Sequence, residues 1–354
     1  MPESIIELIK RWESGGLRTL RGEAYNDLHA KLHFFQRHFS QYLPALGADS
    51  LDYEGRLELW LHNVTDEGHK RSLLELAAEI LFFTREDFLK LHQSALYGPI
   101  KKWIIEKLNL DLLGSDLSSI IDDEIHNHTW FCSLTDSMPI ADFYHANNLA
   151  GTTHRPDCRS LARFGDLNEI DHFMQQHRIN GQIKPLKRIV VLEDFVGSGT
   201  QMNEVERQFS TPMGVQNLTV FEFLDAIPSA PEILFVPLII CPEGLGNARI
   251  TEAKLGGRLT VDPVLQITQA DLINTQNHFA AGTLEAIIKD LAQATYPQVV
   301  GNGASHPRPY EKHGFHDTGA KIVMFSNTPA NTLPLIHHKS NTWEPLFRRS
   351  ARVL

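Results

Sequence analysis

The sequence predicts an α/β protein: a parallel sheet with helices on both faces, preceded by an α-helical N-terminal region. Three observations carry this. The run Ile189, Val190, Val191 and Leu192 is β-branched and unalternated, as expected of a parallel strand covered on both sides. Strand-like runs recur at residues 129–134, 218–224 and 233–241, with turn and helix signals between them. Before about residue 115 the apolar residues instead fall at helical spacing. The expected organisation is therefore a helical region over residues 1–115 and an α/β domain over 116–354.

In the N-terminal region, Leu73, Leu74, Leu76, Ala77, Ile80 and Leu81 give one apolar helix face. Thr84 is placed to cap the next helix, with Asp87 three residues on and Phe88, Leu89 and Leu91 beyond. Pro99 suits the start of a further helix carrying Trp103, Ile104, Ile105 and Leu108. This region either packs on the α/β core or a partner, or simply completes the fold.

Residues 129–134 then read as a strand, Thr135, Asp136, Ser137 and Met138 as a turn, and Pro139 as a helix start. The next such unit is IVVLEDFVGSGTQM, residues 189–202. Beyond it, 203–209 reads as continued helix, 218–224 and 233–241 as strands, and Gly244, Gly246, Gly256 and Gly257 as connecting turns. Residues 266–291 look helical. Residues 302–318, rich in Gly, His and Pro, form a candidate mobile loop over the site. Residues 321–325 read as a last strand, followed by a proline-containing turn that bears Asn327, Thr328, Asn331 and Thr332.

The chemistry concentrates at 189–202. A parallel strand ends at a ligand site, and here it ends in Glu193 and Asp194. Two adjacent carboxylates accept hydrogen bonds from a sugar diol or hold a divalent cation through oxygen. Gly197, Ser198, Gly199, Thr200 and Gln201 follow. Their glycines let successive N–H groups face one concavity, the two hydroxyls add donors, and the next helix adds its dipole. Acids for a ribose beside a nest for an anion imply a ribose 5-phosphate moiety. A Walker A loop is excluded because no lysine follows the second glycine, and a dinucleotide fingerprint because Met202 stands in the third glycine's place. The V-G-S-G-T context is also no serine-hydrolase elbow.

A hydrophobic strand, two acids and a small-residue loop ending in Gly and Thr resemble the PRPP-binding motif of type I phosphoribosyltransferases. The resemblance implies a phosphoribosyltransferase-like core. In it Glu193 and Asp194 bind ribose and Mg²⁺, and Gly197 to Gln201 hold the 5′-phosphate. It also implies that the first strand-turn-helix unit meets pyrophosphate, making Thr135, Asp136 and Ser137 candidates there. These lack the cation frequent in the family. Arg155, Arg159 and Arg163, spaced four apart, would form a cationic stripe beside the diphosphate if helical, although Pro156 opposes a helix and a solvated face is the competing reading. The purine enzymes carry an aspartate where this chain has Gly197, so proton transfer to a purine from that place is lost.

The segment MFSNTPANTLPLIHHKSNTWEPLF, residues 324–347, resembles the C-terminal signature of phosphoribosyltransferase-like proteins of bacterial conflict and antiphage loci, some retron-associated. It makes Asn327, Thr328, Asn331 and Trp343 candidates for the base side, together with Thr332, His337 and His338. A structural loop and a packing tryptophan are the plain alternatives.

Composition narrows the classes. The 354 residues, 42% hydrophobic, suffice for a large core and two domains. With 33 basic and 43 acidic residues the net charge is −10, so strong intrinsic nucleic-acid binding is not expected. Cys132, Cys158 and Cys241 are few and odd in number, which points to free thiols in a reducing compartment. Neither a signal-peptide core nor a membrane-length apolar run occurs, and a cytoplasmic location is expected. Glu124, His126 and His128 lack an accompanying HExxH or paired cysteines, so zinc is not expected.

The expected function is an enzyme acting at the anomeric carbon of PRPP or a related nucleotide with Mg²⁺, used as an antiphage effector if the second resemblance holds. The alternative is a non-catalytic nucleotide-sensing or structural subunit of a defence complex. A defence-system protein or ribonucleoprotein is the expected partner.

Overall fold

The computed structural model describes residues 3–45, 52–114, 116–149, 166–179, 181–203, 207–211, 214–300 and 310–350. It divides into two compact units: residues 87–267, and a discontinuous unit of residues 1–86 with 268–354. These cuts fall elsewhere than at the change in sequence pattern near residue 115.

The 87–267 unit is built on a parallel sheet. Thr129–Ser133 lies beside Arg188–Val196, which lies beside Glu232–Ile240. The outer edge of Glu232–Ile240 carries two short strands in succession, Leu259–Val261 and Leu265–Gln266. Val190, Val191 and Leu192 are wholly buried, as a strand covered on both faces requires. Neighbouring residues of a strand point to opposite faces. The Trp130 ring lies 5.6 Å from Phe173 of helix Leu167–Gln176, and the Phe131 ring 5.2 Å from Phe143 of helix Ile140–Ala146. Helices therefore cover both faces.

The other unit gathers helices Ile5–Ser14, Tyr25–Phe39, Tyr53–Leu61, Glu67–Glu79 and Leu284–Val300 around one apolar core. Strand Leu81–Phe83 pairs in parallel with Ile322–Met324, so the two ends of the chain share this core. The indole N–H groups of Trp60 and Trp343 both donate to the Leu335 carbonyl, at 2.7 and 3.0 Å.

Several elements differ from expectation, each for a local reason. Residues 220–224 of the expected 218–224 strand lie in helix Val220–Asp225, opened by a capping box in which Thr219 and Glu222 satisfy each other's backbone N–H. Short apolar runs do not separate helix from strand by periodicity. Of the expected helix 203–209, residues 204–206 lie outside the described residues, and 207–209 belong instead to strand Arg207–Thr211, which pairs antiparallel with Gly214–Leu218. Gly244 and Gly246 lie inside helix Pro242–Lys254 rather than in turns, because Pro242 starts that helix directly after the strand. Pro99 does not open a helix. It sits in a π-turn, Leu96–Ile100, between helices Arg85–Ala95 and Lys101–Leu108, and the widened turn accommodates its missing N–H.

Within 266–291, the Asn277 side chain donates to the carbonyls of Gln269 and Leu272 at 2.7 and 2.6 Å. Such bonds compete with helix, and the long helix begins only at Leu284. Of 302–318, residues 302–309 lie outside the described residues, and Tyr310–Glu311 pairs with Gly314–Phe315.

Among the described residues no helix is long and apolar enough to cross a membrane. Cys132 and Cys241 are free, buried thiols, and burial pushes both well above the ordinary thiol range, Cys241 to about 12. Iodoacetamide should leave both unmodified in the folded protein and label both in denaturant, read by peptide mass mapping. Labelling of either in the folded state would contradict this burial.

Candidate functional site

The site begins in the sheet register. Ser133 pairs with Leu192, and the ladder continues with Leu134 N–H donating to the Leu192 carbonyl at 2.8 Å. The turn after the first strand therefore emerges beside Glu193 and Asp194. Its donors converge on Glu193. Thr135 donates its backbone N–H to Oε2 at 3.0 Å and its hydroxyl to Oε1 at 2.6 Å. The Ser137 hydroxyl lies 2.8 Å from the same Oε1 and 3.2 Å from Asp194 Oδ1. Asp194 Oδ1 also accepts the Phe195 N–H at 2.8 Å.

Both acids are buried, Glu193 to 3% exposure and Asp194 to 7%. Burial, together with the charge of Asp194 alongside, raises the Glu193 pKa above the ordinary carboxylate range despite the three donors that favour its carboxylate. Asp136 is exposed at the tip of the turn.

The expected phosphate loop leaves the same strand. Gly199 makes its turn at φ 79°, a conformation open to glycine without penalty, and helix Thr200–Asn203 follows. Ser198 and Thr200 are nearly fully buried, with their hydroxyls 3.4 Å apart, and Gln201 is exposed. Two residues that sequence reasoning did not place in the site brace this loop. Gly244 donates its N–H to the Gly197 carbonyl at 2.9 Å, and Asn247 donates its side-chain amide to the Ser198 carbonyl at 2.7 Å. Both belong to helix Pro242–Lys254, which starts at the carboxyl end of the neighbouring strand. Pro242 directly after an apolar strand was the sequence signal for them.

The structure thus brings together Thr135, Ser137, Glu193, Asp194 and the loop 197–201. Arg155, Arg159 and Arg163 lie outside the described residues. The base-side candidates belong to the other compact unit, where their polar groups serve the fold. Asn331 donates to the Phe315 carbonyl and the Thr318 hydroxyl at 3.0 and 2.9 Å. Thr328 contacts the Tyr42 hydroxyl at 2.8 Å, and Thr332 donates to the Ile322 carbonyl at 2.6 Å. Asn327 Oδ1 accepts N–H groups from Thr328 and Ser350 at 2.9 and 3.2 Å. Trp343 is 1% exposed within the aromatic core, and His337 is also buried.

Among the described residues, no three His, Cys, Asp or Glu side chains cluster as a metal cage. The oxygens at the strand end suit a hard cation. Mg²⁺ commonly takes one or two protein carboxylates, with water and substrate phosphates completing its shell. Asp194 fits that limited demand better than Glu193, whose two oxygens already accept three donors.

No curated protein and no solved structure matches the chain. The PRTase-CE family model matches residues 57–349, a span that includes the acids, the loop and the turn described above, and the chain therefore belongs to this phosphoribosyltransferase-like family.

Proposed function

We propose that the protein binds PRPP, or a related ribose 5-phosphate nucleotide, as its Mg²⁺ complex and acts at the anomeric carbon. The observation that supports this most is the convergence at one sheet end of a buried acid pair, a glycine turn at a helix start and the hydroxyl-bearing turn of the next strand. Asp194 would hold the ribose hydroxyls, the loop 197–201 the 5′-phosphate, and the segment 135–137 would flank the leaving pyrophosphate. Mg²⁺ bound with the substrate would neutralise charge on that leaving group. Held at both ends, the ribose needs little reorganisation as positive charge grows at its anomeric carbon. Gly197 offers no proton-transferring side chain, so the acceptor is a base that needs none from this position, or water.

Titration with PRPP and Mg²⁺ in a calorimeter, with pyrophosphate assayed in the same mixture, tests this reading. Asp194→Asn should fold normally and bind at least ~10-fold more weakly, the loss expected when a charge-assisted hydrogen bond of about 1.5–3 kcal/mol is removed. Unchanged affinity in the folded variant would remove Asp194 from the site.

The second reading, a non-catalytic nucleotide sensor or structural subunit, is favoured by one observation: Glu193 is already occupied by donors of its own chain. Saturable binding without pyrophosphate release selects the sensor, and no nucleotide binding the structural subunit. A cytoplasmic location rests on the cysteine content and the absence of a signal-peptide core; use in antiphage defence, with a protein or ribonucleoprotein partner, rests on the resemblance of residues 324–347. Survival under phage challenge, wild type against Asp194→Asn, tests it.

A further inference from the structure

We propose that Glu193 is a positioning residue: it holds the Thr135–Ser137 turn in place on the pyrophosphate side and leaves Asp194 as the acid that meets the ribose. This rests on the PRPP reading above and divides a pair of acids that the motif alone treats as equivalent.

The geometry carries the division. Glu193 Oε2 accepts the Thr135 backbone N–H at 3.0 Å, while Oε1 accepts from the Thr135 and Ser137 hydroxyls at 2.6 and 2.8 Å. Both oxygens are thereby used inside the protein, and the side chain is 3% exposed. The turn is folded around this carboxyl group. Ser137 N–H bonds back to the Thr135 hydroxyl at 3.3 Å, and the two hydroxyls are 2.6 Å apart. Ser137 then reaches 3.2 Å to Asp194 Oδ1, which is also fixed by the Phe195 N–H. All three hydrogen bonds to Glu193 thus come from the turn, so a change at Glu193 acts first on the turn. A buried group whose hydrogen bonds all go to one neighbouring segment acts by orienting that segment.

Three probes separate the roles: ribose 5-phosphate, Mg²⁺-pyrophosphate and PRPP, each titrated into wild type, Glu193→Gln and Asp194→Asn. Hydrogen exchange of a peptide covering residues 133–139 is followed without ligand. Glu193→Gln places an amide against the Thr135 N–H or the hydroxyls. It is expected to bind Mg²⁺-pyrophosphate at least ~10-fold more weakly, the usual cost of losing a supporting hydrogen-bond partner, while ribose 5-phosphate affinity stays within about 3-fold. Exchange in 133–139 should accelerate in Glu193→Gln and not in Asp194→Asn. Asp194→Asn should instead lose ribose 5-phosphate affinity by at least ~10-fold.

Ser137→Ala leaves both acids in place, removes the hydroxyl's contacts with Glu193, Thr135 and Asp194, and guards against misfolding of the Glu193 variant. It should give the same split at smaller amplitude. Equal loss of ribose 5-phosphate affinity in Glu193→Gln and Asp194→Asn, or unchanged exchange in 133–139, would overturn the division while leaving the PRPP reading intact. A wild type that binds none of the three probes overturns the PRPP reading and this inference with it.

Discussion

Gly319→Ala is expected to destabilise the unit formed by residues 1–86 and 268–354 by about 3 kcal/mol or more, combining a left-handed backbone cost of about 1–2 kcal/mol with overpacking. Gly319 sits at φ 71°, and a Cβ there would lie 2.0 Å from the Ile273 carbonyl oxygen and 2.4 Å from its carbon. The overlap is with backbone, so no side chain can rotate away. The two segments are also joined at this point, since Ile273 N–H donates to the Gly319 carbonyl at 2.9 Å and Gly319 N–H to the His313 carbonyl at 2.7 Å. Relief of the overlap would break this pairing. The neighbouring turn has little slack, because His316 and Asp317 already occupy positive φ, at 55° and 53°, and Asp317 is bonded to His313 at 2.6 Å and to the Thr275 N–H at 2.9 Å. Urea unfolding followed by tryptophan fluorescence reads the effect, as Trp12, Trp60 and Trp343 lie in this core. A loss below about 1 kcal/mol would show that the close approach is wrong.

The second large effect is a reversal of sign between two glycines of one helix. By propensity alone, alanine is preferred over glycine in a helix interior by about 1 kcal/mol. Gly246 meets that condition: it is exposed in helix Pro242–Lys254, with nothing within 4 Å of an added Cβ. Gly246→Ala should stabilise by up to that amount. At Gly244 a Cβ would come within 2.6 Å of the Gly197 carbonyl oxygen and 2.8 Å of Val196 Cγ1. Gly244→Ala should instead destabilise by about 1–3 kcal/mol, the usual range for overpacking, and push Gly197 out of place. Because that displacement occurs in the expected phosphate loop, ribose 5-phosphate affinity should fall in Gly244→Ala and stay unchanged in Gly246→Ala. Parallel melts and titrations check both. Stabilisation by both substitutions would mean that the helix does not brace the loop.

Legibility in the sequence followed the range of the interactions. The strands read at 129–134, 189–192 and 233–241 are legible because burial on both faces leaves mostly apolar runs without alternation. The segment 218–224 was misread because a capping box is a contact between two particular side chains, Thr219 and Glu222, inside a run that suits either state. The helix start at Pro242 is legible, but the bracing of the loop by Gly244 and Asn247 is not, for a different reason. It depends on which strand lies beside Arg188–Val196, and sheet order is not a local property.

The same division runs through the candidate site. The residue types and their order at 189–202 determined by themselves that two carboxylates and a glycine turn would stand at the end of a buried strand, since apolar periodicity and backbone freedom are local. Only the tertiary structure decided that Glu193 faces the Thr135–Ser137 turn, that the NTPANT segment spends its polar groups on its own fold, and that Trp343 is buried in the core that the N-terminal helices share. Each of these is a choice of partner among residues far apart in the chain. Such choices are made by shape and burial in the folded protein, which no short stretch of sequence contains.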